Sequence, residues 1–222
     1  PSAYAYSMLS KSDTTQEMKN LIVAMLNYGA AAQAYFNYNL ENPINASLTT
    51  EQKAYVAEYS DDMLDGLTYC DASKKGELFA NGNTAFTNRT PSVNFEGAFS
   101  VNFYFGSPKA EVGSEVIFYV WDQATYEAVD TLLPDNAIAK STCTSDGTFY
   151  AAVVEGIAAK DVDETFYCAA IFSGTDGKTY VSGVIAYSLG YYLENQANGT
   201  AMPDFAKTTA VYAYYAKALF HN

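Results

Sequence analysis

The apolar positions of this chain change period twice. After residue 16 they recur at spacings of three and four: Leu21, Met25, Tyr28, Ala32 and Tyr35 make one stripe, which predicts an amphipathic helix. Asp13-Thr-Thr-Gln16 has capping-box form ahead of it, and Pro43 closes the helical region. Gly29-Ala-Ala-Ala32 has almost no side-chain volume, so another helix or a sheet can approach closely there. Thr49-Thr-Glu-Gln52 signals a second start, and Tyr55, Val56, Tyr59, Met63 and Leu67 line one side of the helix expected after it. GELFANGNTAFTNRTPS (76–92), rich in Gly and Asn, reads as a connection.

From about residue 92 the period becomes two. NFEGAFSVNFYFG, EVIFYVWD, GTFYAAVVEGI, ETFYCAAIF and KTYVSGVIAYSL are β-branched and aromatic runs bounded by turn signals, so each predicts a strand. Asp146-Gly147 and Asp176-Gly177 lie between such runs and mark hairpins. QATYEAVDTLL reads as a short helix or loop excursion between strands. In VIFYVWD, Val116, Phe118 and Val120 fall on one face, and Ile117, Tyr119 and Trp121 on the other. Both faces are apolar, whereas an antiparallel sheet with one wet face alternates apolar and polar residues. Something therefore covers the second face: a packed helix, a sugar or another protein. Helices from the two ends of the chain, which need somewhere to bury their Tyr and Ala stripes, are the expected cover.

Helical periodicity returns at the end, where Met202-Pro203-Asp204 places proline at a first helical position. The two ends also resemble each other. AYS at 5–7 matches AYS at 186–188, and YGAAAQAYFNYN aligns with YAYYAKALFHN so that Tyr28, Ala32, Ala34 and Phe36 match Tyr212, Ala216, Ala218 and Phe220, an offset of 184 residues. This favours a repeating unit of one sandwich followed by a helical pair; chance matching of Ala- and Tyr-rich helices is the alternative. The expected fold class is α+β: an antiparallel immunoglobulin-like β-sandwich packed against a cluster of helices from both termini. Its parts are an N-terminal helical segment (1–80), the sandwich (92–190) and a C-terminal helical segment (191–222) that packs with the N-terminal helices. The Cys-Trp-Cys signature of true immunoglobulin domains is absent.

Composition narrows the function more by exclusion than by signal. Twelve basic against 25 acidic residues give a net charge of -13, which argues against nucleic acid or an anionic membrane surface as partner. No apolar run approaches the roughly 20 residues that span a bilayer. PSAYAYSMLS lacks the basic start and apolar core of a signal peptide, so the sequence reads as a segment of something longer. Cys70, Cys143 and Cys168 lack metal-type spacing and read as three buried thiols, with one disulfide as the alternative. The one histidine, His221, is penultimate, which leaves no support for a Ser-His-Asp or Cys-His arrangement or a His-rich zinc site. G-x-S-x-G, H-E-x-x-H, C-x-x-C and phosphate-binding glycine loops are absent. Paired carboxylates suffice for a glycosidase, and Asp61-Asp62 with Asp65 and Asp161-Val-Asp163-Glu164 are the densest acidic groups. The first reads as a solvated helix face. The second allows a calcium ion but lacks EF-hand spacing. No metal and no cofactor are expected, and the chain reads as non-catalytic.

Tyrosine is the positive signal, at 20 residues against 13 Phe and one Trp. Tyr and Trp present a flat apolar face with a polar handle, which suits stacking on sugar rings, although interlayer packing is the commoner use of any one tyrosine. Asn102 and Tyr104 share one face of their strand, opposite Phe99, Val101, Phe103 and Phe105. Tyr119, Trp121, Asp122, Gln123 and Tyr126 combine aromatic platforms with hydrogen-bonding groups, as a neutral polyhydroxylated ligand requires. These seven residues are the candidate ligand site.

LNYGAAAQAYFNYN and ETFYCAAIFSGTDGKTYVSGVIAYSLGYYLE resemble recurring modules of large secreted and cell-surface proteins of gut Firmicutes, which often carry dockerins or cell-wall signals. The likeness covers most of the chain, including YVWDQATYEA. A sandwich beside a helical cluster is also similar to the starch adherence system proteins of amylosomes, in which malto-oligosaccharide is held between the two parts. No residue-level motif carries over. The resemblance implies an extracellular, secreted or cell-surface bacterial module. Starch or another α-glucan is the expected polysaccharide partner, other modules of the same protein are possible partners, and neither nucleic acid binding nor membrane insertion is expected. A structural or adhesion repeat that binds protein is the competing reading.

Overall fold

The computed structural model describes residues 2–64, 70, 71, 75, 86, 87, 89–106, 108 and 110–220. The chain is α+β, with two antiparallel sheets and several helices. It divides into two compact units. One comprises Pro1–Gly66, Ala158–Asp163 and Gly190–Asn222, the other Leu67–Ile157 and Glu164–Leu189. No described helix is long and apolar enough to cross a membrane.

The first unit opens with α1 (Ser2–Leu9) and α2 (Gln16–Tyr35). Thr15, not Asp13, caps α2; its hydroxyl accepts the Met18 N–H at 3.2 Å. Ala5 and Leu9 of α1 meet Ile22, Val23 and Leu26 of α2 and Leu48, so α2 buries a broader face than the expected stripe, and Met25 lies 37% exposed. The helix stops before Pro43, and Asn37 and Asn39 then take left-handed backbone angles (φ 53° and 49°), which asparagine tolerates better than most residues. The following segment folds back onto the small-residue stretch, as expected of it. A β-carbon at Gly29 would lie 2.9 Å from Ile44 Cγ2, while the Ile44 N–H donates to Gln33 Oε1 at 2.7 Å.

The long second helix does not form. Thr49 and Gln52 make the reciprocal capping box, but the helix α3 is only Thr50–Lys53. The Ala57 N–H donates to the Tyr215 hydroxyl instead of a helix carbonyl, and the Tyr59 and Ser60 hydroxyls bond the Asp61 and Asp62 carboxylates. Such local side-chain bonds compete with helix, and only the 3-10 turn Asp61–Met63 remains. Tyr55 and Val56 still pack on the α1–α2 core from outside any helix. Asp65, Leu67 and His221 lie outside the described residues, as does most of the expected connection 76–92.

At the other end come α5 (Leu189–Ala197) and α6 (Pro203–Phe220), named after α4 of the second unit, with Pro203 at the first helical position as expected. α6 packs antiparallel on α2. Tyr35 stacks on Phe205 (5.1 Å, 18°), and Tyr28, seven residues back, stacks on Tyr212 (5.4 Å, 20°), seven residues on. Tyr28 and Tyr212 are one of the four pairs that the internal alignment matches.

In the second unit the strands are β1 (Cys70–Asp71), β2 (Ser92–Asn94), β3 (Phe99–Gly106), β4 (Ile117–Trp121), β5 (Ala139–Thr142), β6 (Thr144–Ser145), β7 (Phe149–Ile157), β8 (Phe166–Ser173), β9 (Thr179–Val181) and β10 (Ile185–Tyr187), with α4 (Gln123–Ala128) after β4. One sheet runs β1-β10-β8-β4-β5 with β9 also on β8; the other runs β2-β3-β7-β6. β1 therefore pairs with β10 although it lies inside the stretch 1–80 expected to be helical. Hairpins at Gly147 (φ 87°) and Gly177 (φ 78°) join β6 to β7 and β8 to β9, as the Asp-Gly pairs indicate. The inner faces of the two sheets meet in a phenylalanine layer: Phe118 of β4 lies 5.6 Å from Phe103 and 6.0 Å from Phe105 of β3. The run KTYVSGVIAYSL breaks in two at Ser182, whose hydroxyl accepts the Ala170 N–H and donates to the Gly183 carbonyl. The edge strand β5, AKST, is exposed at every position, so it carries no apolar alternation to predict it.

Cys143 and Cys168 are free, buried thiols, and the Cys70 side chain lies outside the described residues. Burial pushes the Cys143 thiol from 9.0 up to about 12 and the Cys168 thiol well above its ordinary value. In peptide mapping after a thiol reagent at pH 8, both cysteines stay unlabelled in the native protein and label in urea. Because the folded value of Cys143 is raised, the stability it contributes is complete below pH 9 and falls as pH rises through about 12. The urea midpoint therefore drops across that window, and a flat midpoint would contradict the burial.

Candidate functional site

The seven expected site residues divide between the outer faces of the two sheets. Side chains alternate along a strand, so Tyr119 and Trp121 point away from the layer that holds Phe118, and Asn102 and Tyr104 away from the layer that holds Phe103 and Phe105. The two groups thus lie on opposite sides of the phenylalanine layer and cannot share one small ligand.

The Trp121 face is covered by the chain's own β4–β5 excursion. Trp121 is 0% exposed and packs with Tyr167, Ala169, Val181, Val184 and Ala186 of the sheet region and Leu132 of the excursion. Its indole N–H donates to the Leu133 carbonyl (3.1 Å) and to Asn136 Oδ1 (2.8 Å). Asn136 also accepts the Leu133 N–H and donates to the Thr131 carbonyl, which fixes the cover in place. In this structure Trp121 has no surface to offer a sugar, and residues 129–137 supply much of the cover that the terminal helices were expected to provide.

Its neighbours are also engaged. Tyr126 lies flat on Tyr167 (3.8 Å, 0°) with the Lys75 ammonium 3.9 Å from its ring centre, so both of its faces are occupied. Tyr119 is half-buried and stacks beside Trp121 at 6.3 Å. The Asp122 carboxylate caps α4 by accepting the Thr125 N–H at 2.7 Å. The Gln123 N–H donates to Glu164 Oε1 and its side-chain amide to Glu127 Oε1. The acidic run after residue 160 is divided in the same way. Asp161 pairs with Lys160 at 2.9 Å and Asp163 with Lys217 at 2.5 Å, and no described group of three His, Cys, Asp or Glu is placed to hold a metal ion.

The other two residues border open space. Asn102 faces Ser92 across β2–β3, and Ser92 Oγ receives the Asn102 amide at 3.3 Å and lies 2.9 Å from the Tyr104 hydroxyl. Phe149, at the start of β7, meets Tyr104 edge to face (5.3 Å, 86°). Beyond them Gly106 lets the backbone at Thr87 approach: its N–H donates to the Thr87 carbonyl, and a β-carbon there would fall 2.8 Å from that oxygen. This pairing continues to the Arg89 N–H, which donates to the Tyr104 carbonyl at 3.3 Å and brings Arg89 alongside the aromatic pair. The guanidinium centre lies 5.5 Å from the Phe149 ring centre.

Arg89, Thr90, Tyr104 and Phe149 line a shallow depression of about 510 Å³. The Asp146 carboxylate in the hairpin leading to Phe149 is held below its ordinary value, first by the Thr148 N–H, then by the Phe149 N–H, with a smaller contribution from Arg89. A second cavity, of about 460 Å³ in the helical unit, has one aromatic lining residue, Tyr59, against the two of the first. The first depression is therefore the better candidate: two aromatic edges, a guanidinium, an amide and hydroxyls on one face. Arg89, Thr90, Ser92 and Phe149 are additions to the residues chosen from sequence. The one available signal was Arg89, the single arginine of the chain. No family model matches the chain, and no curated protein or solved structure matches it either.

Proposed function

We propose that the protein is a non-catalytic carbohydrate-binding module of an exported, cell-surface or secreted bacterial protein, built on an immunoglobulin-like sandwich, with its site on the outer face of the β2-β3-β7-β6 sheet. The observation that carries this reading is the Tyr104–Phe149 pair, which lines one open depression with Arg89 and Thr90 and has Ser92 and Asn102 hydrogen-bonded beside Tyr104, aromatic surface next to hydroxyl-binding groups. Such a shallow site binds with modest affinity when isolated, and several copies gain by avidity. The test is retention on insoluble polysaccharides, starting with granular starch because of the resemblance to amylosome proteins, beside cellulose, xylan and mucin. The wild-type chain is retained on at least one of them. Tyr104→Ala with Phe149→Ala abolishes retention while circular dichroism is unchanged, since both side chains are only half-buried. Retention that survives this double substitution rejects the site.

A second reading, a structural or adhesion repeat, draws on a different observation: the aligned tyrosines Tyr28 and Tyr212 stack on each other. Failure of the wild-type chain to bind any polysaccharide favours that reading.

A further inference from the structure

We infer that Arg89 directs this surface to a glycan carrying isolated carboxylates, that is, uronic acid residues on an otherwise neutral polysaccharide. The inference rests on the carbohydrate-binding reading above and names the ligand class of the same site. An arginine presents a planar fork of donors that matches both oxygens of a carboxylate, whereas a lysine is a point charge. The Phe149 ring under the guanidinium orients that fork before a ligand arrives. Among the described residues the ion pairs are Lys160–Asp161, Lys178–Asp176 and Lys217–Asp163, and none involves Arg89. The nearby acid, Asp146, is turned to the N–H groups of Thr148 and Phe149. The depression therefore holds an exposed, oriented cation whose preferred partner is a carboxylate, while Tyr104, Asn102 and Ser92 beside it suit uncharged sugar rings.

The whole-chain charge of -13 decides between a sparsely charged and a densely charged polymer. At physiological ionic strength, charges separated by more than about 8 Å are largely screened, so a single carboxylate on Arg89 feels chiefly that residue and Asp146, whose carboxylate is engaged by the Thr148 and Phe149 N–H groups. A polyanion would bring many further carboxylates to a chain of net charge -13, which has no second arginine to meet them, and be repelled.

The experiment compares the full chain on glucuronoxylan, on the same polymer after chemical reduction of its carboxyl groups, and on polygalacturonate. Glucuronoxylan binds best, and carboxyl reduction weakens binding about tenfold, roughly the discrimination one bidentate charge-assisted contact supplies. Arg89→Gln binds native and reduced glucuronoxylan alike, and Arg89→Lys recovers only part of the difference. Because Arg89 is exposed, both variants keep the wild-type circular dichroism spectrum. Equal wild-type affinity for native and reduced polymer overturns the carboxylate inference and leaves the carbohydrate-binding reading standing. Tighter binding to polygalacturonate than to glucuronoxylan overturns the preference for sparse charge. Absence of binding to these and to every polysaccharide of the wider panel removes the inference and the reading together.

Discussion

Trp121→Ala destabilises the protein by about 3–5 kcal/mol, the usual range for emptying a buried large aromatic site. Two contributions add. The indole is wholly enclosed by Leu132 and by residues of the sheet region, so its removal leaves a cavity that rigid β8 and β10 cannot fill. Its N–H is also the shared donor for the Leu133 carbonyl and Asn136, so the β4–β5 excursion loses its tie to the sheet. Trp121→Phe separates the two contributions: most of the volume stays, the donor goes, and the cost falls to about 1–3 kcal/mol. Urea unfolding followed by circular dichroism measures both, because the substitutions delete the chain's one tryptophan fluorophore. A Trp121→Ala protein of unchanged stability that has lost polysaccharide binding would return the residue to a ligand site.

Phe205→Ala is the corresponding substitution in the helical unit and also costs about 3–5 kcal/mol. Phe205 is 2% exposed and touches Tyr28 (5.8 Å), Tyr35 (5.1 Å) and Phe36 (6.0 Å), so one side chain on α6 makes three of the aromatic contacts at the C-terminal end of α2. Hydrogen exchange reads the result directly: amides of Gln16–Tyr35 lose protection most in its second half. Phe205→Leu keeps much of the burial and loses the ring stacking, so its cost lies well below that of Phe205→Ala. Undiminished protection of α2 in Phe205→Ala would show that the α1 contacts, the Ile44 segment and the Tyr28–Tyr212 stack hold that helix without Phe205.

What the sequence made legible follows from how local each cause is. The strands containing Phe103, Phe118 and Tyr150 declare themselves as short β-branched and aromatic runs bounded by turn signals, and the Asp-Gly turns because only a few residues tolerate positive φ. The apolar positions Tyr55 and Val56 were legible as core, but not the absence of a helix there. That absence depends on the Tyr215 hydroxyl capturing the Ala57 N–H from 158 residues away. The doubly apolar β4 correctly announced a second cover. Its identity, an excursion pinned by Asn136, rests on tertiary hydrogen bonds that no periodicity encodes. The same applies to the candidate site: Asn102 and Tyr104 follow from strand alternation, whereas Arg89 and Phe149 join them through the pairing of Thr87 with Gly106 and the register of β3 on β7.

The stack of Tyr28 on Tyr212 has a further consequence. Where two antiparallel helices bring one aligned position of each together, that single contact is self-complementary in the manner of an isologous interface, a residue meeting its own counterpart. The two tyrosines face each other, so a change in one alters the surroundings of the other directly, and substitutions at these positions, 184 residues apart in sequence, act on stability as a pair rather than additively.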